Sequence, residues 1–184
     1  MKYLLLKLVL LAVFCAIPAF AGDEGKMIDN FNNNPEKRWQ FFTDQVMGGV
    51  SEGTASVLSD NNGPYVRLEG LVSTANNGGF IQIRRDVRDG SKDAKGLLLR
   101  VKGNGEKYYI HLRTGGTVLP WQYYQISFTT SNKWNEVKLP FSDFERSSSW
   151  ISKKISGDKI KTIGLVAYGK DHKALLDVSH LSFY

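Results

Sequence analysis

Lys107-Tyr108-Tyr109-Ile110-His111-Leu112-Arg113-Thr114 decides the fold. Large apolar residues recur at every second position, the period of an extended strand with one buried face and one open face. Tyr108, Ile110 and Leu112 then point into a core, and Tyr109, His111 and Arg113 point away from it. The same period runs through 121–129, where Tyr124, Ile126 and Phe128 are the core residues and Trp121, Tyr123, Gln125 and Ser127 lie opposite. In 80–85, Ile81 and Ile83 face inward, leaving Gln82 and Arg84 on the other side. Placed side by side, these strands present one outer face carrying Arg84, His111, Arg113, Trp121, Tyr123 and Gln125, a candidate binding face.

Outward from these segments the pattern repeats. Strands are expected at 27–31, 39–43, 53–58, 65–73, 96–102, 134–139, 162–168 and 174–183 as well. Helical periodicity is lacking, and so many strands in a chain of this size imply an all-β fold of two packed sheets, a β-sandwich. Asn61-Asn62-Gly63-Pro64, Gly103-Asn104-Gly105 and Gly115-Gly116 supply residues that tolerate φ > 0 between apolar runs, as tight hairpins require. Asp143 and Phe144, after Pro140, suit a single helical turn. Trp39 and Trp134 are expected in the core, and Trp150, in the serine loop that begins at Ser147, is a candidate contact residue.

Two glycine-rich stretches share a build. Asp44-Gln45-Val46-Met47-Gly48-Gly49-Val50-Ser51 and Asn76-Asn77-Gly78-Gly79-Phe80 each place a Gly pair before an apolar side chain. They read as tight backbone passages rather than helices, with Gly48, Gly49, Gly78 and Gly79 permitting φ > 0 or close approach of another backbone. The two are expected to pack together, with Asp44, Met47 and Asn77 completing a structural latch. Asp44 either accepts hydrogen bonds from loop amides or pairs with Glu52 for acid–base work. Met47 either plugs one end of the core or touches a ligand.

At the N-terminus, a short basic start, an apolar run from Leu4 to Ile17 and the small residues of Ala19-Phe20-Ala21 match a secretory signal cleaved after Ala21. Residues 1–21 are then the signal and 22–184 the mature domain, periplasmic or secreted and not membrane-spanning after cleavage. A lipoprotein reading through Cys15 meets Phe14 where a small residue is needed. Cleavage removes the single cysteine, which excludes disulfides and thiol chemistry. It also removes Lys2 and Lys7, so 24 basic residues become 22 against 18 acidic, a net charge of +4. This mild, dispersed excess gives no nucleic-acid footprint. His111, His172 and His180 lack metal-ligand spacing, so no metal is expected. Calcium at Asp60-Asn61-Asn62 or Asp171 remains an open alternative to simple turn formation. No nucleophile elbow, phosphate loop or cofactor fingerprint occurs, and the chain is read as a non-enzyme.

Trp39, Thr43 to Ser51, Leu68-Glu69-Gly70-Leu71-Val72-Ser73, Asn77-Gly78-Gly79-Phe80, Val101-Lys102-Gly103-Asn104-Gly105 and Trp134-Asn135-Glu136-Val137-Lys138-Leu139-Pro140-Phe141 follow one another in an order that resembles the complex I intermediate-associated protein 30 (CIA30) family. The resemblance extends through Ile163-Gly164-Leu165 to the last strand. It departs at Asn104, where an Asp is expected, and at Ser148-Ser149-Trp150, where Arg-Gly is usual. It implies a galactose-binding-like jelly roll and a non-catalytic, chaperone-like assembly role, as in mitochondrial members that help build respiratory complex I. An exported chain does not reach the cytoplasmic arm of such a complex, so the expected partner is a protein of the cell envelope. The alternative that the fold implies is a carbohydrate bound on the aromatic and basic face. Either ligand would use Trp121 with Tyr123, or Trp150, as large apolar contacts with polar tips.

Overall fold

The computed structural model describes residues 25–184, so the expected signal segment lies outside the described residues. Its strands are β1 (Met27–Asp29), β2 (Trp39–Thr43), β3 (Glu52–Asp60), β4 (Gly63–Val72), β5 (Phe80–Asp86), β6 (Gly96–Gly103), β7 (Lys107–Thr114), β8 (Tyr124–Thr129), β9 (Asn135–Pro140), β10 (Glu145–Arg146), β11 (Ile160–Tyr168) and β12 (His172–Phe183). The back sheet has the order β3-β4-β12-β6-β9, with β1 also paired to β12, and the front sheet the order β10-β8-β7-β11-β5-β2. All pairings are antiparallel. The two sheets form a β-sandwich of jelly-roll type.

Period-2 alternation produces this arrangement directly. Tyr108, Ile110 and Leu112 of β7 are fully buried, as are Ile163, Leu165 and Ala167 of β11 and Ile81 of β5. They meet Leu97, Leu99 and Val101 of β6 and Leu176 and Val178 of β12 from the other sheet. Each fully buried aliphatic side chain of this kind contributes about 1.5–3 kcal/mol, enough for a core without cross-links.

Several expectations need correction. β8 begins at Tyr124 rather than Trp121, because Gly115 to Tyr123 is folded into a loop by side-chain bonds described below. β1 stops at Asp29, and Phe31, at φ 58°, turns left-handed to bury its ring against Trp39. Residues 44–47 form one turn of 3-10 helix, where a non-helical passage was expected. Trp134 is on the outside of the back sheet, only half-buried, whereas Trp39 is in the core. Met47 is 66% exposed and plugs nothing.

Candidate functional site

Asp44 is wholly buried and joins the two glycine stretches. Its Oδ1 accepts from the Ser51 N–H at 2.9 Å, and its Oδ2 accepts from the Ser51 hydroxyl at 2.5 Å, the Gly79 N–H at 2.5 Å and the Phe80 N–H at 3.2 Å. Burial alone would raise its pKa, but these donors outweigh it and hold the carboxyl below the usual range. Four donors, three of them on Oδ2, hold it as an anion in a fixed place, the structural role among the two expected for it. The latch also requires bare backbone on both sides: a Cβ on Gly49 would lie 2.3 Å from the Asp44 Cγ, and one on Gly78 would lie 2.4 Å from Oδ2. Gly48 and Gly79 take φ values of 87° and 131°. With the carboxylate beneath them, Met47, Asn77 and Gly78 form one rim of a groove.

The groove runs over the outer face of the front sheet and encloses about 430 Å³. Strand register builds its floor. Gly164 of β11 pairs with Arg84 of β5 on one side and His111 of β7 on the other, and His111 pairs with Gln125 of β8. A Cβ on Gly164 would approach the Gln82 side chain to 3.2 Å, so the missing side chain gives the floor its depth. Around it stand Tyr123, Tyr168 and Trp121, with Arg84, Arg113, Gln82 and Thr162 as polar groups. Among the described residues, no carboxylate lines it.

The aromatic part is ordered by mutual contact. His111 stacks on Tyr123, with ring centroids 4.3 Å apart and planes at 19°, and meets Tyr168 edge-on at 5.9 Å. Burial pushes the imidazole pKa down to about 4, with Gln125 acting in the opposite sense. Even so, His111 Nε2 and Gln125 Oε1 are both buried without a hydrogen-bond partner. Burial first, and then Tyr168, raises the Tyr123 phenol pKa, so the ring presents a neutral hydroxyl.

Trp121 is held by its loop. Arg113 Nη2 donates to the carbonyls of Thr117 and Leu119, both at 3.1 Å, while the buried Gln122 Oε1 accepts from the Val118 and Leu119 amides at 2.9 and 3.0 Å. Ser147 Oγ accepts from the Tyr123 N–H at 2.9 Å and donates to the Trp121 carbonyl at 2.8 Å. The indole is 64% exposed at the groove edge.

The structure thus brings Arg84, His111, Arg113, Trp121 and Tyr123 together around one groove. Gln125 is beneath the same face but outside the lining, and Trp150, 91% exposed in the loop after β10, stands apart. Sequence reasoning missed Tyr168, Val166, Gly164 and Thr162. The alternation of 162–168 carried that signal, since it assigns these residues to the face opposite Ile163 and Leu165. His172 and His180 are on β12 in the back sheet, away from His111.

Similar architectures occur among solved structures. The family 11 carbohydrate-binding module of the cellulosomal cellulase Lic26A-Cel5E of Clostridium thermocellum superposes with a TM-score of 0.69 at 17% identity, covering 86% of this chain and 93% of that one. The Clostridium thermocellum family 11 module in complex with a β-1,3-1,4-mixed-linked tetrasaccharide gives 0.68 at 18%, covering 86% and 94%. A family 30 module of the cellulosomal cellulase Cel9D-Cel44B, also from Clostridium thermocellum, gives 0.56 at 15%, covering 79% and 90%. At these identities the likeness is one of fold. No curated protein matches the sequence. The family model for complex I intermediate-associated protein 30 (CIA30) matches residues 29–176, and the chain belongs to that family.

Proposed function

We propose that the protein is a non-enzymatic binding module whose groove seats a glycan. The observation that carries this reading is the groove itself: a cleft of about 430 Å³ with Trp121, Tyr123 and Tyr168 beside Arg84, Gln82 and Thr162. Aromatic faces match the apolar C–H faces of sugar rings, and a few fixed polar groups orient hydroxyls. Among the described residues the lining holds no pair of carboxylates, and Asp44, buried beneath the rim, is bonded to Ser51, Gly79 and Phe80, which favours binding over hydrolysis there. The carbohydrate-binding modules that share the fold support the reading without fixing the ligand. In this proposal the domain acts after export, in the periplasm or outside the cell.

Isothermal titration with a β-1,3-1,4-mixed-linked tetrasaccharide, beside an array of other glycans, tests it. Saturable binding that is lost in Trp121→Ala and Tyr123→Ala is expected, and silence across the array would refute it.

A second reading, a protein partner in an envelope assembly, is favoured by the apolar side chains left in the open. Val46, Met47, Val118 and Leu119 are exposed on the loops around the groove, and Trp150 on a separate one. Affinity capture from envelope extracts that depends on Val118 or Trp150 would support this reading over the first.

A further inference from the structure

A second cavity, also about 430 Å³, opens where β1, β2 and β5 meet, and Arg84 lines both it and the groove. It is strongly basic. Lys26, Lys37, Arg38, Arg84, Arg85 and Arg88 line it, against Asp86 and Asp89. Beneath them is one buried carboxylate. Asp29 Oδ1 accepts from Arg38 Nη2 at 2.9 Å and the Phe31 N–H at 2.8 Å, and its Oδ2 accepts from Arg38 Nε at 3.1 Å, Trp39 Nε1 at 2.9 Å and Arg85 Nη1.

One carboxylate therefore fixes two guanidinium groups side by side and leaves their sum at +1. Burial opposes ionisation of Asp29, but the bonds from Arg38, Phe31 and Trp39 and the charge of Arg85 prevail and keep it an anion. Arg85 is held on its other side by the carbonyls of Ile28 and Asp86, and its Nη2 has no partner among the described residues. Lys26, Lys37 and Arg88 form no ion pair among the described residues either. Arg38 also donates Nη1 to the Asn33 carbonyl at 2.7 Å and Nη2 to the Asn32 carbonyl at 2.8 Å, so it is held rigidly by the chain, and the spare guanidinium donor beside it is Arg85 Nη2. A positioned guanidinium donor next to the uncommitted charges of Lys26, Lys37 and Arg88 suits planar or tetrahedral oxyanions. Among the described residues the groove adds Arg113 and no carboxylate, so the positive potential continues into it.

We propose that groove and basin are one site for an acidic glycan: a sugar ring rests on Trp121 and Tyr123, and an anionic substituent of the same chain, a carboxylate or a sulfate, reaches past Arg84 into the basin. This rests on the glycan reading of the groove and deepens it by naming the ligand class. A glycan is favoured over a featureless polyanion because the basic cavity shares a wall with the aromatic groove rather than lying on a flat surface.

The test titrates the purified protein with oligosaccharides of polygalacturonate, of sulfated carrageenan and of neutral agarose, and with inorganic polyphosphate. At low salt, one of the two acidic oligosaccharides is expected to bind at least about ten-fold tighter than the neutral one, on the scale of two exposed ion contacts. The acidic arm that binds identifies the substituent. The advantage should shrink at high salt, and the double variant Lys37→Ala/Arg88→Ala should abolish it while leaving neutral binding unchanged. Trp121→Ala should weaken acidic and neutral binding alike. Equal binding of acidic and neutral oligosaccharides would overturn the inference and leave the groove reading standing. Polyphosphate binding as tight as the best glycan, with no effect of Trp121→Ala, would overturn it in favour of a plain polyanion site. Silence from all three oligosaccharides would remove it together with the groove reading for these sugars.

Discussion

On the outside of the back sheet, Asp177 receives Arg67 Nε and Nη2 at 2.7 and 2.9 Å and is 3.3 Å from Lys102 Nζ. The indole of Trp134 is covered by Lys102 at 4.9 Å and Arg100 at 5.5 Å, and its Nε1 donates to Asp60 at 3.1 Å. On the outside of the front sheet, similar residue types stand around an open cleft, with His111 Nε2 and Gln125 Oε1 unpaired beneath it. Cations, aromatics and amides decorate both surfaces. The back sheet has unpaired buried atoms as well, His172 Nε2 and Ser179 Oγ on β12, so what separates the Asp177 cluster from the groove is whether the charges have met their counter-charges and whether open space is left between the groups. The cluster around Asp177 is closed on itself and serves stability, whereas the groove keeps hydrogen-bonding capacity and apolar area for something else.

That contrast can be broken at several points. The largest effect is expected for Asp177→Ala, which leaves Arg67 and Lys102 over a buried position without their counter-charge. Denaturant unfolding should show a loss of about 3–5 kcal/mol, with glycan affinity intact wherever the variant is folded. Next, Trp121→Ala should cost about 2 kcal/mol of binding, roughly 30-fold, with an unchanged unfolding midpoint. Trp134→Ala should leave affinity alone, and a loss of binding there would dissolve the distinction between the two faces.

A pH titration of stability probes the buried imidazole. The folded His111 pKa of about 4 is below its ordinary 6.5, so between these values the unfolded chain binds more protons. The contribution is complete above pH 6.5 and is lost as pH falls toward 4. Thermal melts should show the midpoint dropping across that window, with a flatter profile in His111→Phe. The smallest change is expected for Gln125→Leu. Its Oε1 has no partner in good hydrogen-bond geometry and only a strained contact with His111, so stability should move by less than about 1 kcal/mol in either direction.

The strands were legible because each carries its own alternation, and the turns at Gly63 and Gly105 because glycine and asparagine mark them, whereas Gly115-Gly116 opens a loop to Tyr123 rather than a tight hairpin. Two-residue β10 was not, since Glu145–Arg146 is too short to alternate. The shared face was legible as well: Arg84, His111 and Gln125 follow from period alone once their strands are neighbours, and Tyr123, in the loop just before β8, stacks on His111 from there. The depth of the groove was not, because it comes from a glycine at the register point between Arg84 and His111. Trp134 and Met47 were misplaced because a large apolar residue at a strand or loop end belongs to either surface, and burial there depends on which charges cover it. The basin was invisible for a different reason. Asp29 and Arg38 are joined only by the turn between β1 and β2, and Arg85 reaches them from β5, far along the chain.

The loop that carries Trp121 has one more consequence. Arg113, Gln122 and Ser147 fix its shape through the chain's own bonds, so a ligand arriving at the indole meets a finished surface and loses little affinity to ordering the protein. Association should then proceed at an encounter-limited rate without a slow rearrangement phase, and differences in affinity between ligands should reside in how long each one stays.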